Sequence, residues 1–266
     1  MPRTATITVS AAGWAPAVFT VTEGGSTQPL MNRQVLALYQ QLLGRDPDRN
    51  GYSFWTAQSS TSLGLMCDLF LGSREALDSD FQVLAIYQAV LNRHPSFDEY
   101  AAALAGIRSG SQAPSQLYND LLNSAEYRVH FAPPGLLPAT VTGLYQHLLG
   151  RSPGSSEINS ALTALSNGTT TLYGLFYGMV AGAEFRNTDS FRTAADHSNA
   201  LYVKMVYFLV LKRDPDAGGY GFWVGVANGG GAGIYFNSQT ARISILGNGS
   251  PGEGFVGSPE FQSRFQ

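Results

Sequence analysis

The strongest constraint on this chain is an internal recurrence. Leu38–Asp48 reads LYQQLLGRDPD, Ile86–Pro95 reads IYQAVLNRHP, Leu144–Pro153 reads LYQHLLGRSP and Val206–Asp216 reads VYFLVLKRDPD. In each, a Tyr (39, 87, 145, 207) is followed six residues later by an Arg (45, 93, 151, 213), and two further on by a Pro (47, 95, 153, 215). Self-similarity at fixed spacing marks a chain built from one supersecondary unit used several times. A second signal closes each copy: Ser73-Arg74-Glu75, Ser124-Ala125-Glu126-Tyr127, Gly182-Ala183-Glu184-Phe185 and Ser258-Pro259-Glu260-Phe261. The Arg-to-Glu spacings are 30, 33, 33 and 47 residues, so the last copy carries an insertion. It falls in 225–254, a stretch rich in Gly and Asn that includes Gly229-Gly230-Gly231.

Within a copy the periodicity is helical. Val35, Leu38, Tyr39, Leu42 and Leu43 share one face, and Gly44-Arg45 stops the helix, a Gly being suited to the left-handed turn and an Arg to the last carbonyls. Asp46-Pro47-Asp48 then starts a short helix with Tyr52, Phe54 and Trp55, since Asp caps and Pro fits a first turn. A third helix follows over 63–71, then a capped short helix that leads into the next copy. In the second copy Ser96 and Glu99 form a capping box, and Ser155-Ser156-Glu157 is read the same way in the third. Ala132–Pro138 (APPGLLP) separates the second and third copies and divides the body into 31–132 and 139–266.

Residues 1–30 follow another rule. Thr4–Ser10 and Val18–Thr22 alternate polar and apolar and are rich in Thr, Val and Ile, which predicts two strands. A loop with Trp14 separates them, and Glu23–Gln28 reads as a linker. The expected fold is mainly α, with four helical repeats in two halves and a short N-terminal β hairpin. A lone hairpin is marginal in water, so it must pack on the helical body or add its strands to a neighbouring subunit.

Composition narrows the function. Charged residues are 13%, about half the usual ~25%, so uncharged polar side chains must cover the surface, as in proteins outside the cell or packed into assemblies. A net charge of −3 supplies no basic field for nucleic acid. No window reaches the ~18–20 apolar residues of a membrane span. MPRTATITVS has no basic start and apolar core of a signal peptide. The chain therefore stays inside, leaves by a route that reads no N-terminal leader, or has had its leader removed. Cys67, in the apolar run LGLMCDLFL, reads as a buried inert thiol.

On LYQQLLGRDPDRNGYSFW at 38–55 and the closing Ser-x-Glu-Phe/Tyr, the chain resembles the bacterial family called domain of unknown function 4214. The fourth copy carries the pattern on Lys212–Asp216, Gly219, Phe222-Trp223 and Ser258–Phe261, while the second and third lack the Asp-Pro-Asp, the Gly and the Trp. The resemblance covers roughly residues 31–265. It implies a helical module similar in pattern to phycobilisome linker domains. It also implies the setting of secreted adhesins, calcium-dependent repeat proteins, surface-layer-like proteins and some glycosyltransferases. It implies no activity.

Candidate chemistry is sparse. Asp46, Asp48 and Asn50 match the first half of a calcium loop, but Ala57 stands where a bidentate Glu is required, and capping by Asp48 explains the same residues. The pairs Arg45–Glu75, Arg93–Glu126, Arg151–Glu184 and Arg213–Glu260 read as structural ties across each copy. None of His94, His130, His147 and His197 has a second His at i, i+4 or an adjacent Glu of HExxH type, and His147, at the place of Gln41, is expected on a solvated face. Trp55 and Trp223 occupy equivalent positions and read as core. No nucleophile elbow or phosphate loop is present. The expectation is a non-enzymatic, extracellular or cell-surface structural protein without a cofactor. It would self-associate into a filament or surface array, or bind another surface protein, through Ile7, Val9, Trp14, Val18 and Val21. The alternative is a carbohydrate-binding or adhesin module, calcium-assisted.

Overall fold

A computed structural model of the chain describes all residues except 1–2, 10–16, 24–29, 59–60, 132–136, 187–191, 228–238, 248 and 264–266. For 3–9, 17–23, 30–31, 186, 192–198 and 239–241 it describes the backbone alone. The fold is mainly helical. At the N-terminus two backbone segments run extended, β1 (Arg3–Val9) and β2 (Ala17–Glu23), paired antiparallel with Ile7 opposite Phe19.

The helices follow in a recurring order. The first segment is α1 (Leu30–Leu38), widening into a π-helical turn at Tyr39–Leu43, then α2 (Arg49–Thr56), α3 (Leu63–Leu71) and α4 (Arg74–Ala76). A second π turn, Leu77–Phe81, leads into α5 (Gln82–Leu91), α6 (Phe97–Arg108), α7 (Pro114–Leu122) and α8 (Ala125–His130). The third segment is α9 (Leu137–Leu149), α10 (Ser155–Ser166), α11 (Leu172–Ala181) and α12 (Ala183–Arg186). The fourth is α13 (Arg192–Val206) with a π turn at Tyr207–Leu211, α14 (Ala217–Ala227), α15 (Gln239–Leu246) and α16 (Pro259–Gln262).

Each long first helix ends in the same way, for a local reason. The residue after it is left-handed: Gly44 at φ +68°, Asn92 at +50°, Gly150 at +65° and Lys212 at +55°. A left-handed residue reverses the chain and lets following amides return to the last carbonyls; the Arg45 amide reaches the Tyr39 carbonyl at 3.4 Å. The next helix starts on a side-chain or backbone cap. Asp48 accepts from the amides of Asn50 and Gly51. Ser96 and Glu99 form a reciprocal box. In the third segment the cap is Gly154, not Ser155: the helix begins one residue earlier than the sequence suggests, and Glu157 closes back onto the Gly154 amide at 2.7 Å.

The four first helices supply the centre. All ten residues of α5 are buried. One apolar cluster joins Leu38 and Leu42, Leu84 and Ile86, Leu144 and Leu148, and Phe208 and Leu209, so the packing on the two sides of 132–138 is shared. Complete burial of a Leu or Ile stabilises by roughly 1.5–3 kcal/mol, and these side chains have no second place to go. Cys67 is buried among them, and burial raises its pKa. His147 corrects the solvated-face expectation. It is buried, with Nδ1 2.8 Å from the Ala89 carbonyl oxygen, and α5 packs on α9 there.

The insertion of the fourth segment contains helix α15, which lies on α3 of the first. The Arg242 guanidinium donates through Nε and Nη2 to the buried Asp68 carboxylate, at 2.6 and 3.1 Å. Gly64 is required at the same contact: a Cβ there would stand 1.8 Å from the Gly247 carbonyl oxygen. Gly64→Ala is therefore expected to lower stability by about 1–3 kcal/mol. Gly178→Ala, on an exposed face of α11 where an added Cβ meets nothing within 4 Å, should raise it by roughly 0.5–1 kcal/mol. Urea midpoints of the two variants, moving in opposite directions, check this.

Candidate functional site

The recurring Arg is held from several sides in each segment. The turn at the left-handed residue sends it back over the end of its own helix. There the guanidinium carbon lies 5.0 Å from the Tyr39 ring centre, 5.4 Å from Tyr87, 5.1 Å from Tyr145 and 5.3 Å from Tyr207. In all four, Nη1 donates to the carbonyl of the residue that follows the Arg, at 3.0–3.2 Å. The outer edge meets the Glu of the fourth helix. Arg45 donates to Glu75 from Nε and Nη2 at 2.7 and 2.8 Å, and Arg93 to Glu126 at 2.5 and 2.8 Å. Arg151 donates to Glu184 at 2.5 and 2.9 Å, and Arg213 to Glu260 from Nε at 3.2 and 3.1 Å. These are the residues paired on sequence spacing, and the geometry joins each pair. Fork-to-carboxylate contact with a ring beneath uses the planarity that Arg has and Lys lacks. Half-exposed pairs of this kind contribute about 0.2–1 kcal/mol each, so their main effect is orientation.

Two versions of this knot exist. In the first and fourth segments Gly51 and Gly219 let the tyrosine hydroxyl approach the second helix: a Cβ would fall 2.2 Å from the Tyr39 oxygen or 2.5 Å from that of Tyr207. An aromatic trio sits beside it. Tyr39 meets Phe70 edge-on at 4.8 Å and Trp55 meets Phe70 at 5.2 Å; Tyr207 and Trp223 meet Phe255 at 4.9 and 5.1 Å. In the second and third segments the Gly position is Glu99 or Glu157 and the Trp position is buried Ala103 or Ala161. There the Glu carboxylate takes both Nη groups of Arg93 or Arg151 at 2.7–2.9 Å. Each of these two Arg residues thus holds two carboxylates. Sequence spacing identified Glu99 and Glu157 only as helix caps. Their place six residues after the Arg, where the other copies have Gly, is the signal that marks them.

The calcium candidates are engaged locally. Asp48 Oδ1 accepts from two main-chain amides at 2.9 Å, which holds its carboxyl below the ordinary range, and Asp46 Oδ1 accepts from the Gln40 amide at 2.9 Å. Among the described residues no three His, Cys, Asp or Glu side chains converge as metal ligands. Trp14 lies outside the described residues, as do the side chains of Ile7, Val9, Val18 and Val21. Trp55 and Trp223 are partly buried against the core. Their neighbours Phe54 and Phe222 are 57% and 62% exposed, each edge-on to its Trp at 5.1 and 5.0 Å.

A separate buried knot joins the first and second segments. Asp80, fully buried on the π turn before α5, accepts from Ser79 at 2.7 Å, Tyr100 at 3.2 Å and Arg108 at 2.7 Å; Arg108 also donates to the Leu42 carbonyl at 2.6 Å. Burial pushes the Asp80 carboxyl up, against the pull of Arg108. Nearby, Lys212 donates to the Gln41 carbonyl at 2.5 Å.

Residues 186–233 match the model of a family described as Domain of unknown function (DUF4214). The match runs over α13, its π turn and α14, and includes the Lys212-Arg213-Asp214-Pro215-Asp216, Gly219 and Phe222-Trp223 of the fourth segment. No curated protein and no solved structure matches the chain. No described helix is long and apolar enough to cross a membrane.

The knots carry a pH signature. Their Arg partners hold the Glu99 and Glu157 carboxyls at about 2, below the ordinary 4.5. A depressed folded pKa adds stability that is present above the unfolded value and is lost as pH falls toward the folded one. Stability should therefore decline between about pH 4.5 and 2. The double variant Glu99→Gln, Glu157→Gln should be less stable than wild type at pH 7 and flatter below pH 4.5, read from thermal midpoints across that range. An unchanged acid slope would refute the assignment.

Proposed function

We propose that this chain is a non-enzymatic structural protein of the extracellular space or cell surface, built from four copies of one helical unit, which self-associates through its N-terminal strands. The observation that carries the reading is the sheet itself. Among the described residues it consists of β1 and β2 alone. A two-stranded ribbon leaves an unpaired row of N–H and C=O groups on each outer edge, a template for strands of another chain. The rest of the fold supports this. The recurring Arg and Glu side chains bond one another and the main chain, which suits a scaffold whose work is to hold shape. The low charge content suits surfaces that pack together. The four-copy reading rests on the shared Arg geometry; the family match covers only the first two helices of the fourth copy.

A second reading has its own observation. Phe54 and Phe222 are exposed at equivalent places, each braced by a Trp, as in a platform for sugar rings, which would make the protein a carbohydrate-binding or adhesin module. Light scattering with negative-stain imaging separates the two. Full-length protein is expected to form regular particles or filaments. Protein lacking residues 1–27, checked for helicity by circular dichroism, is expected to be a folded monomer. Persisting assembly in the truncated protein would overturn the first reading. A monomeric full-length protein that binds on a glycan array, compared with and without a chelator, would favour the second.

A further inference from the structure

The connection between α10 and α11 repeats the one between α6 and α7. In both, the earlier helix stops at a left-handed Gly, Gly110 at φ +73° and Gly168 at +72°. The main-chain bonds match. Ser109 and Gly110 donate to the Ala105 and Ile107 carbonyls, and Asn167 and Gly168 donate to those of Thr163 and Leu165. A Cβ at either Gly would meet nothing within 4 Å, so both turns stand clear of the body. The backbone is satisfied by the Gly alone, which leaves the flanking side chains open to choice. The second segment has Ser109-Gly110-Ser111 there, and the third has Asn167-Gly168-Thr169.

That difference has a chemical meaning, because Asn-x-Ser/Thr is the acceptor pattern for N-linked sugars. Asn167, Gly168 and Thr169 are all exposed. The Thr169 amide donates to Asn167 Oδ1 at 3.1 Å, and the Thr169 hydroxyl donates to the same oxygen. A main-chain N–H can only donate, so the atom facing it is the oxygen, and Nδ2 occupies the other arm of the side-chain amide. No hydrogen bond to a described residue engages Nδ2. The hydroxyl that the pattern requires thus holds its own Asn in one orientation, as an Asx turn does, with the nitrogen left for reaction. The chain's other such triplet, Asn248-Gly249-Ser250, has its Asn outside the described residues.

We propose that Asn167 is a site of N-linked glycosylation. A glycosyltransferase joins Asn167 Nδ2 to the anomeric carbon of a sugar carried on a diphosphate donor. The bond from that carbon to the diphosphate oxygen breaks, the diphosphate leaves with the electron pair, and one amide proton passes to a base of the enzyme. The product projects from an open turn, so no core side chain has to move. The inference adds to the extracellular reading without resting on self-association: a sugar-bearing monomer and a sugar-free assembly are separate results.

Full-length protein would be isolated from the cells that make it and mapped by peptide mass spectrometry. The peptide that holds Asn167 is expected to be heavier by at least one sugar residue. Thr169→Ala, made in the same cells and checked for helicity by circular dichroism, keeps the Asn and the Gly and should lose the sugar. Ser109→Asn completes the same triplet in the matching turn of the second segment and should gain one. An unmodified Asn167 in the wild type, a sugar retained in Thr169→Ala, or a sugar on Asn248 alone would each overturn the proposal. A folded Ser109→Asn protein without a second sugar would overturn the part assigned to the turn.

Discussion

The structure depends on one contact made four times: an Arg folded back over the Tyr of its own helix and locked to a Glu at the end of the same segment. The contact fixes three things together. It sets the direction in which the chain leaves the first helix, by bonding the carbonyl after the turn. It holds the short fourth helix against the start of the segment. It also covers the Tyr ring, so that an amphipathic side chain can close the edge of the core. Each bond is half-exposed and modest in energy; the constraint lies in geometry, because a planar fork admits few orientations.

The two versions of the knot show how one unit tolerates different sequences. Where a Trp packs on Phe70 or Phe255, the Tyr hydroxyl needs room and the neighbouring residue is Gly. Where Ala103 or Ala161 replaces the Trp, the Gly position carries a Glu that grips the same Arg. Apolar packing in the first and fourth copies and charge pairing in the second and third thus do the same positioning work. The asymmetry extends further. The fourth copy alone among the described left-handed turns carries a Lys, and its insertion supplies the helix that braces the first copy through Arg242 and Asp68.

Much of this was legible without coordinates. The Tyr–Arg–Pro spacing located the helix ends because it recurs in all four copies, although the left-handed stop itself is Gly in two, Asn in one and Lys in one. The closing motifs, Ser-x-Glu in three copies and Gly182-Ala183-Glu184 in the third, located the fourth helices because capping is local chemistry. His147 was misjudged because its position in the repeat matches a polar Gln41, and which face of α9 meets α5 depends on a partner remote in sequence. The extra role of Glu99 and Glu157 was hidden for the opposite reason: the capping box explained them fully, so nothing local pointed to the Arg.

Sequence by itself determined the unit, its recurrence, the helix ends and the Arg–Glu pairing, since all of these rest on contacts within one segment or on spacing retained in every copy. Tertiary structure alone decided how the segments meet. It brought α15 onto α3 at the Gly64 contact, buried Asp80 beneath Arg108, and set Phe97 and Tyr100 of the second segment against Phe208 of the fourth. Those contacts join residues far apart in the chain, and their partners are chosen by shape and by burial of charge, which no periodic pattern records.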